Sequence, residues 1–97
     1  MSETVVTLDT RVRPGEGVLF QRLKDEAILL NLNSGVYFGL DEVGTEVWAL
    51  MPEFDSVRNL ARVIADRYSV SMEQCQRDLL DLMQQMLEQG LVTAGEI

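Results

Sequence analysis

Residues 33–48 read NSGVYFGLDEVGTEVW and contain a turn, a short strand and the start of a helix. The turn is Asn33-Ser34-Gly35, in which the glycine can adopt a positive φ. Asp41 is a suitable N-cap for a helix that we predict over residues 42–51, because Pro52 cannot continue it. This stretch therefore predicts a sheet whose last strand passes directly into helices.

The strand within this stretch, VYFGL at 36–40, has two different faces. Side chains alternate along a strand, so Val36, Phe38 and Leu40 share one face. Tyr37 and Gly39 share the other. A glycine weakens a strand interior and often marks a place where another backbone comes close.

Two further strands precede it. VLFQRL (18–23) and AILLNL (27–32) are joined by the polar turn KDE, and the second places Ile28, Leu30 and Leu32 on one face. Three strands joined by tight turns predict an antiparallel meander. Residues 1–16 show no clear periodicity, so we expect an irregular lead-in, in which 5–8 could pair as a short strand.

Two helices follow. The first spans about 56–68, is capped by Ser56 or Asp55, and has an amphipathic stripe. The second spans about 72–89 and begins at a capping box, Ser71 with Gln74. Gly90 followed by Leu91 predicts a Schellman-type end, and we expect residues 93–97 to fray.

The last helix has an unusually wide apolar arc. Its central stripe consists of Met72, Cys75, Leu79, Leu82, Met83 and Met86, and Leu80 and Leu87 extend one flank. The arc exceeds the roughly 100° that a one-sided surface helix needs. Either the helix is sandwiched between two other elements, or part of the arc lines an open groove. The three methionines favour an adaptable surface in the second case.

Composition excludes several kinds of site. The chain has 97 residues, one cysteine and no histidine. It therefore has no internal disulfide, no Cys–His nucleophile pair and no four-ligand zinc site, and we predict neither metal nor cofactor. No apolar run approaches the roughly 18 residues that span a bilayer, and the N-terminus does not read as a secretory signal. We expect a single cytoplasmic domain over residues 1–97.

The element order predicts an α+β fold resembling a winged helix-turn-helix, with a three-stranded antiparallel sheet followed by three helices. The usual use of that fold is DNA binding, which we keep as the alternative function. Charge argues against it, because the net charge is −8 with a pI of about 4.3. The last helix carries Glu73, Asp78, Asp81 and Glu88 against Arg77 alone, and DNA phosphates would repel it.

The run LNLNSGVYFGLDEVGTEVW, with the last two helices behind it, resembles the PqqD-like proteins over roughly residues 15–93. The matching positions in the first part are Leu30, Asn31, Gly35, Tyr37, Phe38, Leu40, Asp41, Gly44 and Trp48. Those in the last helix and its end are Asp78, Leu79, Met83, Gly90 and Leu91. One departure is the link after the first helix, where many members have an Asp-Gly turn and this chain has PEFDS.

The resemblance implies a non-catalytic adaptor in the maturation of ribosomally made natural products (RiPPs), most like those of lasso-peptide pathways. Such domains bind the leader segment of a precursor peptide as an added strand on the third strand, against the last helix. They deliver it to a leader peptidase and a cyclase, or to a radical-SAM enzyme. The expected peptide-binding residues are Val36, Tyr37, Phe38, Gly39, Cys75, Asp78, Leu79, Leu82 and Met86.

The physics of an exposed strand edge agrees with that role, since its unpaired backbone groups can bind an extended peptide. The same edge could pair with a second copy and form a homodimer. Simpler interpretations stay open for each residue. Tyr37 and Phe38 could be cross-strand packing, Cys75 a buried hydrophobe and Asp78 a solvated charge. Trp48 is expected in the core. An enzyme is not expected, because no paired-carboxylate or phosphate-loop motif is present.

Overall fold

A computed structural model describes residues 5–96. The elements in chain order are β1 (Thr10–Pro14), β2 (Val18–Leu23), β3 (Glu26–Asn31), β4 (Val36–Leu40), α1 (Glu42–Leu50), a 3₁₀ turn (Met51–Glu53), α2 (Val57–Tyr68), α3 (Met72–Glu88) and β5 (Val92–Glu96). The predicted α+β class is confirmed: β2, β3 and β4 form an antiparallel sheet in that order, and three helices follow. These strands and helices lie within one residue of the predicted bounds.

A second sheet of two strands was not predicted. β1 pairs antiparallel with β5, with Thr10 opposite Glu96 and Pro14 opposite Val92. The expectation of an irregular N-terminal segment is therefore wrong for residues 10–14, and the expected fraying is wrong for 93–96. Residues 5–8 form no strand. The expectations for residues 1–4 and 97 lie outside the described part of the chain.

The core lies between the inner face of the three-stranded sheet and the helices. On β3 the buried residues are Ala27, Leu29 and Asn31, whereas Ile28 points to the outer face, where it is exposed. The predicted core position of Trp48 is confirmed, and its ring stacks on Phe20 with centroids 6.4 Å apart. The contact between Trp48 on α1 and Phe20 on β2 thus holds the edge strand β2 against α1.

Helix starts follow the predicted capping chemistry. Gly44 N–H donates to Asp41 Oδ1 at 2.8 Å, and Asn59 N–H donates to Ser56 Oγ at 3.2 Å. At α3, Gln74 N–H donates to Ser71 Oγ at 3.1 Å. The capping box predicted there is only half formed, because the Gln74 side chain donates forward to Asp78 Oδ1 instead of accepting a hydrogen bond from the Ser71 backbone N–H.

The end of α3 is a Schellman motif, as predicted. Leu91 N–H donates to Met86 O at 2.8 Å and Gly90 N–H to Leu87 O at 3.1 Å, with Gly90 at φ +73°. A Cβ at Gly90 would lie 2.9 Å from Asn31 Nδ2. Glycine is therefore required both by the backbone conformation and by the close approach of β3.

Asn31 links this helix end to the turn between β3 and β4. Its Nδ2 donates to Gln89 O at 3.0 Å and to Gly90 O at 3.4 Å. Its Oδ1 accepts from Asn33 N–H at 2.9 Å and from Ser34 N–H at 3.3 Å. One buried amide thus satisfies backbone groups from two distant segments, which fixes β4 relative to α3.

We expect Asn31→Ala to lower the free energy of unfolding by about 1–3 kcal/mol, because it removes four hydrogen bonds of a buried amide and leaves a small cavity. Asn33→Ala is the matched control, since the Asn33 side chain is exposed, and it should change stability by less than about 0.5 kcal/mol. Urea unfolding followed by the fluorescence of Trp48, the chain's one tryptophan, measures both. Equal effects of the two substitutions would show that Asn31 is not the link described here.

Candidate functional site

β2 and β4 are the edge strands of the three-stranded sheet, and the β4 edge is the one that adjoins a cavity between sheet and helices. β4 pairs with β3 along its whole length, from Asn31 opposite Val36 to Ala27 opposite Leu40. No strand within residues 5–96 pairs with its other edge. The backbone N–H and C=O groups that point to this edge can therefore accept a further strand.

A groove of about 580 Å³ runs beside this edge. The end of β4 and the start of α1 form one wall, α3 forms the other, and the end of α2 closes one side. The contributions of α3 are Cys75, Asp78, Leu79, Leu82 and Gln85. Cys75 and Leu79 are only 4% and 3% exposed, so they form the floor. The wide apolar arc of α3 is thereby explained, because it serves both the core and the groove.

The groove is acidic at its rim. Asp41 and Asp78 are its charged lining residues, and no lysine or arginine lines it. The Asp41 carboxylate already caps α1, and Asp78 Oδ1 accepts from Gln74 Nε2 at 2.9 Å. An apolar cleft with two carboxylates suits a ligand that is apolar, with a positive or neutral polar part.

Cys75 is not placed as a nucleophile. Its thiol donates to Ala61 O at 3.4 Å. Burial raises the pKa of the Cys75 thiol, and the negative charge of Asp78 raises this pKa further. A reactive cysteine requires the opposite environment, with nearby positive charge that lowers its pKa. Cys75 therefore behaves as a small apolar residue of the groove floor.

Tyr68 closes one side of the groove. Burial raises the pKa of its hydroxyl, and the carboxylates of Glu46 and Glu42 add to this effect. The hydroxyl therefore stays protonated at neutral pH, where it can donate a hydrogen bond.

Residues 5–96 contain no candidate cluster of three metal ligands and no candidate membrane-spanning helix. Within that range no three acidic, cysteine or histidine side chains converge in a way that could hold a metal ion. None of the helices there combines the length and the apolar character that crossing a bilayer requires.

Six of the nine residues predicted for the site line the groove together: Phe38, Gly39, Cys75, Asp78, Leu79 and Leu82. Three do not. Val36 is half-buried at the far end of β4. Tyr37 is 70% exposed and points to the outer face of the sheet. Met86 is 0% exposed and belongs to the core beneath the groove.

Sequence reasoning missed the contributions of α1, of the end of α2 and of the α2–α3 turn, including Val43, Tyr68 and Val70. Val43 and Val70 are exposed although apolar. An apolar residue in a turn between two helices was the available signal for Val70. Val43 falls on the apolar face of its helix, where the pattern does not distinguish a groove residue from a core residue.

Comparison with known proteins shows which family has this sequence pattern and which solved structures share this fold. Residues 26–92 match the family described as Coenzyme PQQ synthesis protein D (PqqD). The chain is similar to the solved structure "TbiB1 in Complex with the TbiA(beta) Leader Peptide", with 32% identity, a TM-score of 0.76, and coverage of 82% of this chain and 93% of that one. No curated protein matched.

A second solved structure, "Lasso peptide synthetase B1 complexed with the leader peptide", has a TM-score of 0.76 at 19% identity. It covers 86% of this chain and 98% of that one. At this identity the likeness concerns the fold. The family match spans most of the chain and includes β3, β4 and all three helices, which are the elements that build the groove, and the chain therefore belongs to the PqqD family.

Proposed function

We propose that this chain is a non-catalytic adaptor that binds the leader segment of a ribosomally made precursor peptide. The single observation that carries the proposal is an unpaired strand edge lying beside an apolar groove. The two solved structures to which the chain is similar are described as complexes with leader peptides, which supports the same ligand class.

The proposed mode is strand addition to β4. Backbone hydrogen bonds from an extended peptide to the free edge supply affinity that depends little on sequence. Alternate side chains of the peptide then point into the groove, where Phe38, Leu79 and Leu82 offer apolar contacts. The other side chains lie on the outer face next to Tyr37, so this residue can contact the peptide without lining the groove.

The chemistry of the groove supports the non-catalytic part of the proposal. Its one cysteine holds its proton, and histidine is absent. We therefore propose that a separate leader peptidase, a cyclase or another modifying enzyme performs the reactions. We further propose that the β4 edge pairs with a second copy at high concentration, in competition with the leader.

DNA binding is the competing function, and charge separates the two. The net charge of −8 opposes contact with phosphates, and the groove itself is acidic. The chain should bind the leader saturably, with a Kd near or below micromolar. It should show no binding to duplex DNA. The probe is a fluorescent leader peptide of the precursor encoded beside this chain's gene, with a scrambled leader as control.

We expect Asp78→Ala to weaken leader binding about three- to tenfold, because it removes a rim charge and a polar contact of the groove. Asp81→Ala is the matched control, since it removes the same charge from the same helix but does not line the groove, and it should bind as the wild type does. Tyr37→Ala should also weaken binding, through the outer face. Fluorescence polarisation measures all three; equal losses for Asp78→Ala and Asp81→Ala would argue against the groove.

Strand addition makes a separate prediction about the peptide backbone. Only every second residue of an added strand directs its N–H toward β4. N-methylation of the leader, one position at a time, should therefore lower affinity about tenfold at alternate positions and much less between them. A smooth profile without this alternation, measured by the same assay, would exclude strand addition.

The Cys75 thiol reports groove occupancy. Its raised pKa means less thiolate at pH 8, so Ellman's reagent should react far more slowly with the folded chain than with a free thiol. Asp78→Asn removes one cause of the raised pKa and should speed the reaction, whereas Asp81→Asn should not. Saturating leader should slow labelling further; unchanged labelling with bound leader would place the peptide elsewhere.

A further inference from the structure

Gly39 has no structural reason to be a glycine within the described part of the chain. A Cβ built there meets no heavy atom within 4 Å, and its φ lies outside the left-handed region. By contrast, Gly35 and Gly90 have φ values of +76° and +73°. Glycine in a strand interior lowers stability, and at Gly39, unlike Gly95, the open space belongs to a cavity beside the unpaired strand edge.

The space above Gly39 is a second cavity, of about 320 Å³, on the outer face of the sheet. We call it the glycine notch, and its lining residues are Leu23, Glu26, Ala27, Ile28, Gly39, Leu40 and Asp41. Leu23 and Ile28 are 50% and 36% exposed and form apolar walls. The notch shares Gly39, Leu40 and Asp41 with the groove, so the two cavities meet across the end of β4.

We propose that the glycine notch is a specificity subsite for one side chain of the leader, with a long aliphatic stem and a positive end: lysine or arginine. This proposal rests on the leader-binding function proposed above. In a strand added to β4, the residue in register with Gly39 directs its side chain to the outer face. Neighbouring strands lie about 4.8 Å apart, so with no side chain at Gly39 this side chain can cross β4 and contact Ile28 on β3.

Charge selects the class of side chain. Glu26 and Asp41 border the notch, and neither forms an ion pair within residues 5–96. No lysine or arginine lines the cavity. Lysine and arginine place their stems along apolar surface while the charged end stays in a polar environment. In the notch, Leu23 and Ile28 can contact the aliphatic stem of such a side chain, and the carboxylates of Glu26 and Asp41 can contact its positive end.

The first test varies the peptide. Each leader position is replaced in turn by lysine, norleucine and glutamate, and binding is measured by fluorescence polarisation. At one position of the outer-face series, lysine should bind about five- to tenfold tighter than glutamate. Glu26→Gln should reduce this ratio to about twofold. Asp25→Asn, which changes the net charge equally in the neighbouring turn but does not line the notch, should leave the ratio unchanged.

The second test fills the notch. A Cβ at position 39 meets no heavy atom within 4 Å, and valine favours strand conformations, so in Gly39→Val the free energy of unfolding should stay equal or rise. Affinity for the leader with lysine at the identified position should fall about tenfold, and this loss should be clearly larger than the loss for the leader with glycine there. Gly95→Val is the matched control, because Gly95 is also a strand glycine with open space and lines neither cavity.

The outcomes separate the two proposals. Absence of leader binding by the wild type refutes the adaptor function itself. If the leader binds but no leader position shows a side-chain preference that depends on Gly39 or Glu26, the notch is not a specificity subsite. The proposed adaptor function is then unaffected. Equal binding of lysine and norleucine, with no effect of Glu26→Gln, overturns the assignment of a positive side chain.

Discussion

The fold depends on the amide of Asn31, which joins two segments that are far apart in the chain. Through it the turn after β3 and the last carbonyls of α3 share one buried hydrogen-bonding group. The Schellman end of α3 presents those carbonyls, and Gly90 leaves room for the amide to approach. This link holds the start of β4 beside the end of α3, and other parts of the same two elements line the groove.

The site combines a strand edge, which recognises backbone, with a cleft, which recognises side chains. Either alone would be a poor binding site. An open edge by itself invites pairing with any extended chain, including another copy of the protein. In the binding mode that we propose, the groove restricts this freedom, since an added strand also has to place suitable side chains against Leu79 and Leu82. The acidic rim disfavours acidic segments and, by the same physics, nucleic acid.

The junction at 33–48 concentrates aromatic residues without carrying any chemistry. Trp48 stacks on Phe20 and holds β2 to the helices, whereas Phe38 is half-buried at the groove. Tyr37 alone remains on the outer face. Adjacent residues of one strand thus serve the core side and the solvent side, which follows from the alternation of side chains.

The sequence by itself determined the strands and helices that are specified by residues close together in the chain. Turn residues, N-caps and helical periodicity placed three strands and three helices within one residue, and the alternation along 36–40 separated Phe38 from Tyr37. Only the tertiary structure decided what depends on contacts between distant segments. It paired β1 with β5, since a five-residue strand carries too little pattern to predict a partner some 80 residues away. It also sent Met86 into the core and left Asp78 at the groove, because one wide apolar arc on α3 cannot show where packing ends and an open cleft begins.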